Sequence, residues 1–139
     1  MKITQPASFS SNIKTEILAI CVSASDPTGL PPELDEAFGG QLADALKHEE
    51  FKGAAGSILP LRSLGHTPAR WILLVGVGDW SVAHHRLAGG ATGHFARSRG
   101  ATDVAFATPA GGTQEEGDNE LLQAVVEGVL EGNYRWNKY

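Results

Sequence analysis

Apolar residues along this chain fall in runs whose spacing switches between strand-like and helix-like. The run from Glu16 to Val22 is short, apolar and rich in β-branched side chains. Ser11-Asn12 precede it and Ser23-Ala24-Ser25-Asp26-Pro27 follow it, the pattern of a buried strand. Met1 to Thr4 reads as a shorter strand. Pro31-Pro32 opens a helix, proline being tolerated in a first turn. Leu34, Phe38, Leu42 and Leu46 then recur at helical spacing with Ala45 beside them, while Asp35, Gln41, Asp44 and Lys47 fall off that face. Gly39-Gly40 interrupts this helix at a cost of about 1–2 kcal/mol relative to alanine. Such a pair predicts either a late helix start or a close approach by another backbone.

Phe51 to Gly56 breaks the helix, Ser57 to Leu61 reads as a strand, and Ser63 to Pro68 as a turn. Trp71 to Val77 is continuously apolar, as a strand covered on both faces must be. Ser81 is placed to cap a second helix. Ala83, Leu87, Ala91 and Phe95 form its predicted apolar face, and Gly100 ends it from the left-handed region. Asp103 to Ala107 is another strand, and Thr108 to Gly117 a loop. Asp118 caps a last helix whose buried face is Leu122, Val125, Val126, Val129 and Leu130. Strands alternating with amphipathic helices predict an α/β fold, a sheet with helices on both faces. There is no internal repeat and no long linker, so residues 1–139 read as one domain.

The composition narrows the function classes. At 139 residues, with 42% apolar and 19% charged side chains, the chain is an ordinary globular domain. Its net charge of -5 argues against a sequence-independent grip on nucleic acid, which needs a basic face to release counterions. A single cysteine, Cys21, excludes an intrachain disulfide and lies in an apolar run, where an inert thiol is expected. No apolar h-region marks the N-terminus and no run approaches a membrane span. The expectation is a soluble, cytoplasmic protein with no membrane partner.

Candidate chemistry is sparse. Gly76-Val77-Gly78 lies between a strand and a helix, where a dinucleotide fold binds phosphate. The third glycine of that fingerprint is replaced by Ser81, and Asp79 and Trp80 stand where a pyrophosphate would lie, so a tight turn is the plainer reading. No two of His48, His66, His84, His85 and His94 have the spacing of a helical metal pair. Ser23, Ser25 and Asp26 precede Pro27 and read as turn residues. Glu115, Glu116, Asp118 and Glu120 surround a helix start, where the macrodipole favours them. Arg86, Arg97 and Arg99 give the second helix positive charge, either a phosphate patch or a solvated face. Trp71, Trp80 and Trp136 serve the core or a partner. No catalytic, cofactor-binding or metal-binding residue emerges.

Three segments together resemble the N-terminal domain of the leucyl aminopeptidase (cytosol aminopeptidase) family. They are Leu34 to Leu42 followed by Phe51-Lys52-Gly53 and Gly56, then Ala69 to Gly78, and finally Glu127 to Tyr139 with its aromatic Tyr134, Trp136 and Tyr139. Gly89, Gly90 and Gly93 depart from the alanine-rich sequence usual in that family. The resemblance implies a three-layer α/β/α, macro-domain-like mixed sheet with helices on both faces. It implies a metal-dependent exopeptidase whose two divalent ions, zinc or manganese, and catalytic residues lie in a C-terminal domain. That domain's Asn-Thr-Asp-Ala-Glu-Gly-Arg segment is absent here. The chain is therefore expected to be an accessory and oligomerisation domain, non-catalytic by itself, partnered in cis by the catalytic domain and in trans by a hexamer. Tyr134, Trp136 and Tyr139 are the expected contact with that catalytic domain. The alternative is a free-standing macro-like module for ADP-ribose or a related nucleotide, for which Gly76 to Ser81 is a poor phosphate loop. A small independent hydrolase would need a constellation the sequence lacks. Continuation of the gene past Tyr139 separates the first two.

Overall fold

Two long apolar strands organise the molecule. The computed structural model describes residues 2–4, 15–24, 36, 38–39, 41–49, 51–65, 67–78, 81–107 and 123–132. In chain order these hold β1 (Lys2–Thr4), β2 (Ile17–Ser23), α1 (Leu42–His48), β3 (Ile58–Arg62), β4 (Trp71–Gly78), α2 (Val82–Ser98) and β5 (Asp103–Ala107). A further helix, α3, covers residues 123–132. The strands form one sheet in the order β1-β5-β2-β4-β3. β1, β5, β2 and β4 run parallel, and β3 lies antiparallel on the edge of β4.

Side chains alternate across a strand, so each central strand feeds two cores. Ile17, Ala19 and Cys21 of β2 join Leu73, Val75 and Val77 of β4 beneath Ala88 and Phe95 of α2 and Val125 and Val129 of α3. Leu18, Ile20 and Val22 join Ile72 and Leu74 on the other face, with Leu42 and Leu46 of α1. The result is the expected three-layer α/β/α sandwich with a mixed sheet.

Two helices differ from the sequence expectation. Gly39 adopts φ +67, and a Cβ placed on it would meet no atom within 4 Å. Glu36 is helical, Gly39 lies in the turn that follows it with its N–H donating to the Glu36 carbonyl at 3.0 Å, and α1 begins at Leu42, so Gly39 marks a break in the predicted helix. Phe38 still packs against the core under α1.

The predicted apolar face of α2 is not the buried one. Ala83 is exposed, Leu87 is 55% exposed and Ala91 is only partly covered, although Phe95 is buried. The covered residues are His85, Ala88, Gly89, Thr92, Gly93 and Ala96. The reason is α3. A Cβ on Gly89 would stand 2.1 Å from the Val125 carbonyl oxygen, and one on Gly128 would stand 2.2 Å from that of Arg86. The two backbones touch where those glycines sit, so small residues occupy the contact and Leu87 is left outside. Thr92 tolerates burial because its hydroxyl donates to the Ala88 carbonyl at 2.9 Å. On α3, Leu130 is 49% exposed rather than buried. The Asp118 cap and Leu122 lie outside the described residues.

Candidate functional site

In open α/β sheets, ligands bind beyond the carboxyl ends of the parallel strands. Here that place is the end of β4 and the start of α2. Ser81 is extended, with φ -70 and ψ 158, and its Oγ accepts the His84 N–H at 3.1 Å. Its carbonyl accepts the His85 N–H at 3.0 Å, and the His85 ring Nδ1 lies 2.8 Å from the same oxygen. The predicted cap is therefore present, and His85 is a buried helix-start residue.

The glycines before it serve packing. Gly76 N–H donates to the Ser57 carbonyl at 2.8 Å, and Gly78 N–H donates to that of Gly53 at 3.0 Å. Gly56 N–H returns a bond to the Gly76 carbonyl at 3.0 Å, and Ala24 N–H one to Gly78 at 2.9 Å. A Cβ on Gly76 would stand 2.0 Å from the Ala54 carbonyl oxygen. Glycine is required because the 53–57 segment crosses the strand at that point. A phosphate loop needs outward-facing amides, and those of Gly76 and Gly78 are already bonded. Those two amides are therefore not available to a phosphate. Asp79 and Trp80 lie outside the described residues.

The remaining candidates do not converge. His48 and His94 are exposed, His84 is partly covered against Gly78, and His66 is outside the described residues. Among the described residues no three His, Cys, Asp or Glu side chains come together. This donor set does not fit a two-metal centre, whose ions are bridged and clamped by several clustered ligands. Cys21 is 1% exposed, and burial pushes its thiol from 9.0 up to about 12, so it stays protonated and unreactive at neutral pH. Ser25, Asp26, Glu115, Glu116, Asp118, Glu120, Tyr134, Trp136 and Tyr139 lie outside the described residues.

An open groove of about 660 Å3 runs between α2 and α3. Ala83, Leu87 and Ala91 form its apolar wall, with His94 and Glu131 beside them. Arg86 also lines it, donating from Nη2 to Glu127 Oε2 at 2.8 Å, with both side chains nearly half exposed. Among the described residues that line it there is no serine, cysteine or lysine.

Arg86 and Arg97 of α2 and Arg99 at its cap do not form one patch. Arg99 turns to the opposite end of the sheet, where its guanidinium lies 5.0 Å from the Trp71 ring centre. Arg62 stacks on the same indole at 4.4 Å. Phe95 meets that ring edge-on at 5.4 Å. Sequence reasoning passed over Arg62, because only the antiparallel pairing of Arg62 with Trp71 brings it there.

The description "Cytosol aminopeptidase family, N-terminal domain" matches residues 21–139. A probable cytosol aminopeptidase of Microcystis aeruginosa is 32% identical over 119 residues, covering 84% of this chain and 23% of that protein. One from Persephonella marina is 29% identical, covering 86% of this chain and 25% of that protein. One from Bordetella pertussis is 33% identical, covering 91% and 23%. This chain thus spans about a quarter of the length of the curated relatives it matches. A tomato leucine aminopeptidase mutant shares the fold with a TM-score of 0.76, over 95% of this chain and 28% of that one, at 24% identity.

Proposed function

The chain belongs to the cytosol aminopeptidase family, whose N-terminal domain it matches, and from that premise we propose that it is the accessory, non-catalytic domain of a metal-dependent leucyl aminopeptidase. In this reading the parent removes N-terminal residues from peptides in the cytoplasm. The present domain supports assembly into a hexamer and shapes access to the active site. The catalytic domain is its partner in cis, and holds two divalent ions, zinc or manganese, that supply Lewis-acid chemistry. The relatives' names support the aminopeptidase activity and the cytoplasmic setting. No helix among the described residues is long and apolar enough to cross a membrane.

One observation carries the reading. The match runs over residues 21–139 and is to the family's N-terminal domain, while the chain covers about a quarter of the length of its curated relatives. Hydrolysis through metal-activated water requires a cluster of metal ligands, which in this reading the rest of the parent supplies. The test is to incubate the purified 139-residue chain with a leucyl chromogenic substrate and added manganese or zinc. The expected result is no release above the blank. Turnover proportional to this chain and abolished by a chelator would refute the non-catalytic assignment.

A further inference from the structure

The amino-terminal end of β4, together with the turn that leads into it, carries two features that the family assignment does not use. The first is a pair of guanidinium groups with no acid partner. Arg62 and Arg99 both stack on Trp71, which is itself partly exposed. Neither side chain joins an ion pair among the described residues, whereas Arg86 pairs with Glu127 in the distant groove. Stacking holds the planar fork by its face and leaves its N–H edge free to donate. Arg70, which precedes Trp71, and Arg97, two residues before Arg99, are both exposed.

The second feature is Leu64. It is 84% exposed and sits at φ 51, a left-handed conformation uncommon for a branched apolar residue. The turn is built to hold it there. Ser63 N–H donates to the Arg70 carbonyl at 3.2 Å. The Ser63 hydroxyl donates to the Ala69 carbonyl, as does that of Thr67 at 3.4 Å. Ser63, Thr67 and Ala69 are buried. An ordered turn thus projects an apolar side chain into solvent two residues from Arg62, at the cost of backbone strain. Strain of that kind persists where the surroundings over-determine it, and it clusters at binding sites.

We propose that this end of the molecule is a docking surface for an acidic polypeptide segment that carries a bulky apolar side chain among its carboxylates. The Arg62 and Arg99 forks take carboxylates, each fork matching two oxygens, and Leu64 meets the apolar side chain. A nucleic acid fits less well on two counts. Single-stranded bases need an open aromatic face, and the Trp71 ring is occupied by Arg62, Arg99 and Phe95. A duplex needs an extended basic face, whereas this chain carries a net charge of -5.

The test uses the whole 139-residue chain and a fluorescein-labelled Glu-Glu-Leu-Glu-Glu peptide, read by anisotropy in about 50 mM salt. Saturable binding is expected, weakening as salt rises. The Arg62→Gln/Arg99→Gln pair is expected to raise Kd by about five-fold or more, and Leu64→Ser by about three-fold. Arg86→Gln, in the distant groove, is expected to leave Kd unchanged. The Gln-Gln-Leu-Gln-Gln peptide is expected not to bind. Circular dichroism checks each variant's fold; Leu64→Ser, at an exposed position, decides the matter if the arginine pair misfolds. Absence of binding, unchanged Kd in Leu64→Ser or in a folded arginine pair, or tighter binding of an oligonucleotide of equal charge, each overturns the proposal.

Discussion

Cys21 shows how one residue's surroundings fix its chemistry. It lies in β2, facing the helices that cover one side of the sheet, 1% exposed, and desolvation pushes its thiol from 9.0 up to about 12. Burial disfavours the thiolate, so the folded chain retains a proton that the unfolded chain releases. The sign follows from linkage: where the unfolded state binds fewer protons, stability falls as pH rises. The Cys21 contribution is complete below pH 9 and is lost progressively between the unfolded and folded values. Each pH unit within that window removes about 1.4 kcal/mol. The difference in urea unfolding free energy between the native chain and Cys21→Ala should therefore shrink as pH rises from 9 toward 11. A constant difference across that range would show that Cys21 ionises as easily folded as unfolded. At neutral pH the same burial predicts that a thiol reagent labels the chain only after urea is added.

At the scale of elements, the contact of α2 with α3 turns on which glycines touch backbone. A Cβ on Gly89, Gly128 or Gly132 would stand 2.1, 2.2 or 2.4 Å from a carbonyl oxygen of the facing helix. A carbonyl oxygen within a helix cannot swing away as a flexible side chain would. Alanine gains about 1 kcal/mol of helix propensity over glycine, but here the steric penalty of about 1–3 kcal/mol or more wins. Gly89→Ala, Gly128→Ala and Gly132→Ala should lower the urea midpoint. Gly90→Ala should do the opposite, because its nearest neighbour, the Gly128 carbonyl oxygen, is at an ordinary 3.9 Å. Opposite signs at adjacent positions 89 and 90 would be hard to obtain from any other arrangement. This contact also shows what the sequence concealed. The strands were legible because β2 and β4 are apolar on both faces, and the Ser81 cap because it is local. The buried side of α2 was not, because it is set by a helix that arrives about forty residues later, and Leu87 looked like core by its spacing alone. The tight turn at Gly76 was legible, but not the bond from its N–H to Ser57, because the 53–57 segment comes from elsewhere in the chain. Arg62 could not be placed beside Trp71 without the register of β3.

For the whole molecule, the question is whether the parts unfold together. Apart from the partly exposed Trp71, the apolar side chains of β2 and β4 are buried on both faces, so neither helical layer can leave without uncovering the sheet. α3 reaches that sheet through Val125 and Val129, which share a cluster with Ile17, Leu73 and Val104. Its surface ion pair with α2, Arg86 to Glu127, is too exposed to add much, since such pairs contribute about 0–1 kcal/mol. The attachment of α3 therefore rests on buried valines and glycine contacts, which belong to the same core as the central strands. A chain held this way should unfold in one step, as domains of this size usually do. Far-ultraviolet circular dichroism, which follows the helices, and tryptophan fluorescence should give coincident urea transitions. Gly128→Ala should shift both midpoints equally. If the variant's helical signal were lost ahead of its fluorescence, α3 would be a detachable element, and the molecule would be a strand-and-helix core with a helix added rather than one cooperative domain.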